Sequence, residues 1–245
     1  MNNKKYLDKI IICLLACTIV ASTPYAQGDT TDATTELLKL QAVFENASYV
    51  SFNVAYYYEE DDTTGIKRDT LLGTYRVNKD KYYYILDSVE QIQNEQYLIT
   101  IDKDNEVIYM QRPYASYASV LQSKLMDSVF RNYYVDSMPV IDSGAYRIIK
   151  IQFKPEAVYT DYQMVYDTSG LRPATLKYTI KKEVSQNPSF QQFIRVKIVF
   201  NNFQTGLFDD SIFNIDAIVV RQNGKFVINP TSYASYSLAN MYDEQ

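Results

Sequence analysis

The chain has 245 residues, 47% hydrophobic and 22% charged, with a formal net charge of −5. It contains no histidine, no tryptophan and only two cysteines, which excludes Ser-His-Asp and Cys-His catalysis and zinc sites built from His and Cys. Basic residues are spread along the chain and leave no electrostatic footprint for a nucleic-acid backbone, while the hydrophobic content suits a packed core.

Residues 1–26 are expected to form a removable secretion signal. Lys4, Lys5 and Lys9 give a basic start, Ile10 to Ala21 form an apolar run of 12 residues, and Ala26 is a small residue before the cut. A membrane-spanning helix needs roughly 20 apolar residues, so this run is too short to be an anchor. Removal would take away both cysteines, and with three lysines and one aspartate gone the net charge would move from −5 to about −7. No disulfide would then be available, and stability would rest on burial. The alternative is that Leu14-Leu15-Ala16-Cys17 acts as a lipobox, with Cys17 lipidated as the first mature residue. The apolar run continues past Cys17 through Ile19, Val20 and Ala21, which favours the plain signal.

Residues 27–245 are expected to fold as one domain. Glu36 to Ala47 reads as a helix, with Leu37, Leu40, Phe44 and Ala47 on one face and a Thr/Asp cluster before it as a cap. From Tyr49 to Glu59 the period changes to two, with Val50, Phe52, Val54, Tyr56 and Tyr58 on alternate positions of a long strand. Glu59 to Gly65 reads as a hairpin loop. Strands follow over 70–77, 81–87, 96–102 and 106–111, and the turns between them are too short for anything but an antiparallel meander.

A second helix is expected over 117–131, where Ala118, Leu121, Leu125 and Val129 align with Met126 beside them. Strands resume over 146–153, 159–167, 174–183, 192–201 and 214–221, with a short one near 226–228. Asp167 to Gly170 and Gln222 to Gly224 are expected hairpin turns, with glycine where a positive φ is cheap. Residues from about 231 onward form a polar tail, read as extended. The fold class is therefore mainly β (α+β): about eleven strands in a large curved antiparallel sheet or half-barrel, with two or three helices over the concave face. Two helices cannot plug so large a sheet, so an apolar groove is expected.

Candidate sites follow from these elements. Phe52, Val54 and Tyr56 on the first long strand, Tyr84 and Leu86 on the third, and Leu98 on the fourth would line a groove for an acyl chain. The alternative is that they complete a core under the helices, because alternation says which residues share a face and not whether it is filled. The 24 tyrosines, many in runs such as Tyr56-Tyr57-Tyr58 and Tyr82-Tyr83-Tyr84, suit half-buried sheet, with an aromatic binding face as the alternative. Glu59-Glu60-Asp61-Asp62 and Asp102 to Glu106 lack the ligand spacing of a calcium cage and are expected to be a solvated loop and a turn. No metal, cofactor or catalytic residue is assigned. Hydrolysis by paired carboxylates stays open, since such pairs meet only in three dimensions.

The order of elements resembles a known family. An export signal, an amphipathic helix and a long strand precede the run LLGTYRV…YYYILD…QYLITID…EVIYM, which resembles the periplasmic lipoprotein carriers of the LolA/LolB-like fold. Gly73-Thr-Tyr75-Arg-Val77 matches that family's Gly-x-hydrophobic strand and Lys81-Tyr-Tyr-Tyr84 its aromatic strand. The segment MVYDTSGLRPATLKYTI matches its paired strands around an Asp-x-x-Gly turn. Asn78-Lys79-Asp80 stands where the family carries a Lys-Arg-Pro turn. The resemblance spans most of residues 34–220. It implies a half-barrel with a helical cover, in the periplasm or cell envelope of a Gram-negative bacterium. It also implies a non-enzymatic protein whose partner is a hydrophobic ligand, a lipid or a lipoprotein acyl chain. Membrane contact would be peripheral or through a lipid on Cys17. The alternative is a structural or protein-interaction module of an envelope assembly, using the Tyr-rich strands or residues 231–245.

Overall fold

The computed structural model describes residues 32–46, 49–62, 65–113, 132–182 and 192–240. The export signal with Cys17, the helix expected over 117–131, Ala47 and the side chain of Phe44 lie outside the described residues. Helix α1 spans Ala33–Asn46. It begins three residues earlier than the hydrophobic pattern suggests because Asp32 caps it: its carboxylate accepts from the Thr34 amide at 3.2 Å and the Thr35 hydroxyl at 3.4 Å. Ala33, Leu37 and Leu40 are buried.

Fifteen strands occur among the described residues. They are β1 (Val50–Asp62), β2 (Gly65–Asn78), β3 (Lys81–Leu86), β4 (Val89–Gln93), β5 (Leu98–Asp102), β6 (Val107–Gln111), β7 (Val135–Ser137), β8 (Val140–Ser143), β9 (Tyr146–Phe153), β10 (Tyr159–Asp167), β11 (Pro173–Lys182), β12 (Gln192–Thr205), β13 (Val219–Gln222), β14 (Lys225–Ile228) and β15 (Ser237–Asn240). Thirteen form one sheet in the order β15-β6-β5-β4-β3-β2-β1-β12-β11-β10-β9-β7, with β8 also on β9; β13 and β14 form a separate hairpin. The protein is mainly β, as its alternating patterns require. Among the described ladders every pair is antiparallel except β15 and β6, which run parallel.

The strands absent from the sequence reading have identifiable causes. β4 (VEQIQ) is short and mostly polar, and β7 and β8 have only three and four residues. The region 214–221 is a strand only from Val219. Before it, Asp210–Phe213 forms a 3-10 turn, and the Ile215 carbonyl accepts from the amides of Ile218 and Val219 at 2.8 and 2.9 Å. Phe213, Ile215 and Ile218 are therefore buried from a turning chain and not from an extended one. Residues 230–233 form a short helix, α2 (Pro230–Tyr233), with Asn229 as its cap.

The two expected turns differ. At the β13–β14 hairpin, Asn223 and Gly224 both have positive φ, 51° and 81°, as a two-residue hairpin loop prefers. In the β10–β11 turn the left-handed position is Leu171 (φ 50°), not Gly170. There the Asp167 carboxylate accepts from the Gly170 amide at 2.6 Å and from the Ser169 hydroxyl at 2.9 Å, and the turn is shaped around that side chain.

The described residues divide into two compact units: 32–46, 54–62, 65–71, 132–182 and 192–201 in the first, 49–53, 72–113 and 202–240 in the second. In the first, the cross-strand rows Ile149-Met164-Leu176-Ile198 and Ile151-Tyr162-Tyr178-Val196 make one buried face of β9 to β12. In the second, Ile92, Ile99, Ile101, Ile108 and Met110 project from one face of β4 to β6 and pack with Ile215, Ile218 and Val219. Phe226, Ile228, Tyr233, Tyr236 and Leu238 border this core. Each such buried side chain contributes roughly 1.5–3 kcal/mol, and that burial holds the C-terminal segment against the sheet.

Candidate functional site

The opposite face of the second unit carries most of the residues singled out from the sequence. Phe52 stacks on Tyr75 with ring centroids 5.1 Å apart and planes 9° apart. Tyr75 stacks in turn on Tyr84 at 5.3 Å, and Phe203 lies on the far side of Phe52 at 5.8 Å. The result is a ladder of rings across β12, β1, β2 and β3. Its physical basis is strand spacing: same-face neighbours on adjacent strands stand about 5 Å apart, a distance offset-stacked rings prefer. Tyr82 adds a further stacked ring beside Tyr84 at 6.2 Å.

Tyr84 and Leu86 alternate on β3, so both lie on this face; Leu86 pairs with Gly73 and Val89. Leu98 shares the face too, but on β5, separated from β3 by the unanticipated β4. Phe52, Tyr84, Leu86 and Leu98 are all buried. Val54 and Tyr56 continue the alternation of β1 and are also buried, within the first unit.

The inserted strand changes the chemistry of the face. Gln91 stands across from Tyr84 and Thr100, and Gln93 across from Tyr82 and Leu98. Tyr82 donates its hydroxyl to Gln91 Oε1 at 3.3 Å, Gln91 donates to the Thr100 hydroxyl at 2.9 Å, and Gln93 donates to the Asp80 carbonyl at 2.9 Å. Two buried amides thus interrupt an otherwise aromatic and aliphatic surface, and these contacts offset the cost of burying them. The sequence signal was present as an alternation, Val89, Gln91, Gln93, but inward glutamines hide a strand from a pattern that looks for apolar residues.

A second polar centre lies in the first unit. Glu36 of α1 is buried and meets Arg147 of β9 at 3.0 Å and Lys39 at 2.6 Å, while the Tyr166 hydroxyl of β10 donates to it. Burial works to raise the Glu36 pKa, but the hydrogen bonds from Lys39, Tyr166 and Arg147 outweigh it, so the carboxyl sits below its ordinary value. The Tyr166 hydroxyl is pushed up, by burial first and then by its hydrogen bond to Glu36. The detectable signal was an acid on the apolar stripe of a helix, since Glu36 falls three residues from Ala33 and four from Leu40.

The acidic run 59–62 is not the solvated loop expected of it. β1 extends through Asp62, and the acids find cations. Glu59 pairs with Arg68 at 2.8 Å, Glu60 is buried and bound by Lys182, and Asp61 accepts both Arg195 nitrogens, at 2.7 and 3.2 Å. The Asp102 to Glu106 segment is a turn, in which Asp102 accepts from the Asn105 amide at 3.0 Å.

No protein-family model matches the chain, and no curated protein matches it. Among solved structures it is similar to a LolA superfamily protein from Nitrosomonas europaea, at 10% identity and a TM-score of 0.36, over 76% of this chain and 99% of that one. It is similar to a DUF1329 family protein from Desulfovibrio piger at 10% identity and a TM-score of 0.34, over 74% and 95%. A conserved protein of uncharacterised function from Thermus thermophilus is similar at 6% identity and a TM-score of 0.42, over 83% and 98%. Among the described residues, no helix is long and apolar enough to cross a membrane.

Proposed function

We propose that this is an exported envelope protein that binds a hydrophobic ligand, a lipid or the acyl chain of a lipoprotein, and carries out no reaction on it. The observation that supports this reading most is the second unit's ring ladder, Phe52, Tyr75 and Tyr84, which shares a face with Leu86 and Leu98. Rings and branched chains give an alkyl chain an apolar bed, interrupted only where Gln91 and Gln93 hold their partners within the sheet. Val54 and Tyr56 belong to the corresponding apolar surface of the first unit.

These side chains are buried, so on this reading a ligand reaches them by taking the place of the side chains that cover them. Ten buried methylenes would contribute roughly 8 kcal/mol before the cost of uncovering is subtracted. Titration with a fluorescent acyl probe tests the reading. Saturable binding, displaced by a long-chain fatty acid and weakened by Leu98→Asn, supports it; absence of saturable binding removes it.

A further inference from the structure

On the first unit, the sheet face opposite α1 carries a row of long polar side chains. The register aligns Lys150 of β9, Gln163 of β10, Lys177 of β11 and Lys197 of β12. Lys177 and Lys197 are exposed and stand directly across from each other on antiparallel strands. Like charges so placed repel, and neighbouring strands are only about 4.8 Å apart. Among the described residues no carboxylate pairs with Lys150, Lys177 or Lys197. Other cations of this unit are neutralised: Arg195 holds Asp61, Arg68 holds Glu59, Lys182 holds Glu60, and Arg147 and Lys39 hold Glu36. Lys197 instead lies over the exposed ring of Tyr57, its Nζ 5.6 Å from the centroid. Asp161, two residues along β10 from Gln163, is the acid on the adjoining row, so the three lysines keep a positive excess.

A chain with a net charge of −5 thus keeps three lysines in line, two of them opposed, without a carboxylate between them. The same face carries exposed Tyr146, and Ile141, which pairs with Ile148 at its edge, is exposed as well. We propose that this face docks on an anionic phospholipid surface. Lysine is a mobile point charge on a long apolar stem and suits a fluid array of phosphates, whereas a fixed acidic peptide is better gripped by the planar fork of arginine. Tyrosines beside the lysines fit the headgroup level, where one end of the ring is apolar and the other wet. The inference shares only the envelope location with the acyl-chain reading. It rests on charge and register in the first unit, so the two can fail separately.

The test is cosedimentation of the full chain with phosphatidylglycerol vesicles and, separately, phosphatidylcholine vesicles, at low and high salt. The expected result is binding to the anionic vesicles alone, weakened by salt. The triple variant Lys150→Gln, Lys177→Gln, Lys197→Gln should bind roughly 100-fold more weakly, at about 5-fold per lysine. A second triple variant, Lys79→Gln, Lys103→Gln, Lys225→Gln, changes the net charge equally and should retain most of the binding. Lys177→Gln alone should not lower the Tm, because it relieves a repulsion; this separates lost docking from lost folding. Equal binding to both vesicle types, or equal losses in the two triple variants, would overturn the proposal. So would binding to immobilised polyglutamate without binding to vesicles, which would assign the face to an acidic protein.

Discussion

The Arg147 guanidinium of β9 lies 3.0 Å from the carboxylate of Glu36, an α1 side chain with 0% of its surface exposed. This pair joins the helix to the sheet of the first unit at a buried point, with the Tyr166 hydroxyl donating to the same carboxylate. Removing one member of a buried pair leaves the other without its counter-charge. Glu36→Gln should therefore destabilise the protein by roughly 2–4 kcal/mol, the lower end reflecting the partial exposure of Arg147. A urea titration followed by circular dichroism reads this as a lower midpoint. An unchanged midpoint would mean that apolar packing of Ala33, Leu37 and Leu40 alone holds the helix.

The same carboxyl makes stability depend on pH. Its folded-state pKa lies below the ordinary value of 4.5, so the folded protein binds fewer protons than the unfolded chain through that range. The stabilisation is fully present above the ordinary value and is lost as pH falls through the lowered one. Asp61 is lowered as well, chiefly by its hydrogen bond to Arg195, so Glu36→Gln should flatten the acid limb of a stability–pH curve without abolishing it. Urea midpoints of both proteins at several acidic pH values give the comparison; parallel curves would contradict it.

The ring ladder should show energetic coupling. Phe52 and Tyr75 stack at 5.1 Å, and such pairs are worth about 0.5–1.5 kcal/mol beyond the area they bury. A double-mutant cycle with Phe52→Leu and Tyr75→Leu should return a coupling in that range. Additive losses would mean that the rings are neighbours without being partners.

β15 closes one end of the main sheet. Ser237–Asn240 pairs in parallel with β6, and Leu238 borders the core of Ile108 and Met110. Truncation after Tyr236 should expose the edge of β6, lower the Tm and promote association through that edge. Light scattering at increasing concentration measures this, and a truncated chain that stays monomeric with an unchanged Tm would argue against it.

What the sequence disclosed depended on local contrast. Runs such as Tyr146–Phe153 and Tyr159–Asp167, where a hydrophobic residue alternates with a polar one, coincide with strands at those same bounds. β4 escaped because Gln91 and Gln93 point the way hydrophobic residues usually do and find partners only across the sheet. β15 escaped because a four-residue strand at the end of the chain is defined by its neighbour β6 and not by its own pattern. For the candidate site, alternation grouped Phe52, Tyr84, Leu86 and Leu98, while the buried Gln91 and Gln93 that β4 inserts between Tyr84 and Leu98 went unseen. The pairing of Glu36 with Arg147 bridges 111 positions of chain, a relation no spacing rule reaches.

The most direct test of the ligand-binding reading is native mass spectrometry of the protein purified from its own cell envelope. The account predicts a mass excess matching a lipid or an acyl-bearing molecule, released by organic solvent and reduced in Leu98→Asn. A wild-type protein that carries no such excess, and acquires none when incubated with envelope lipids, would contradict it.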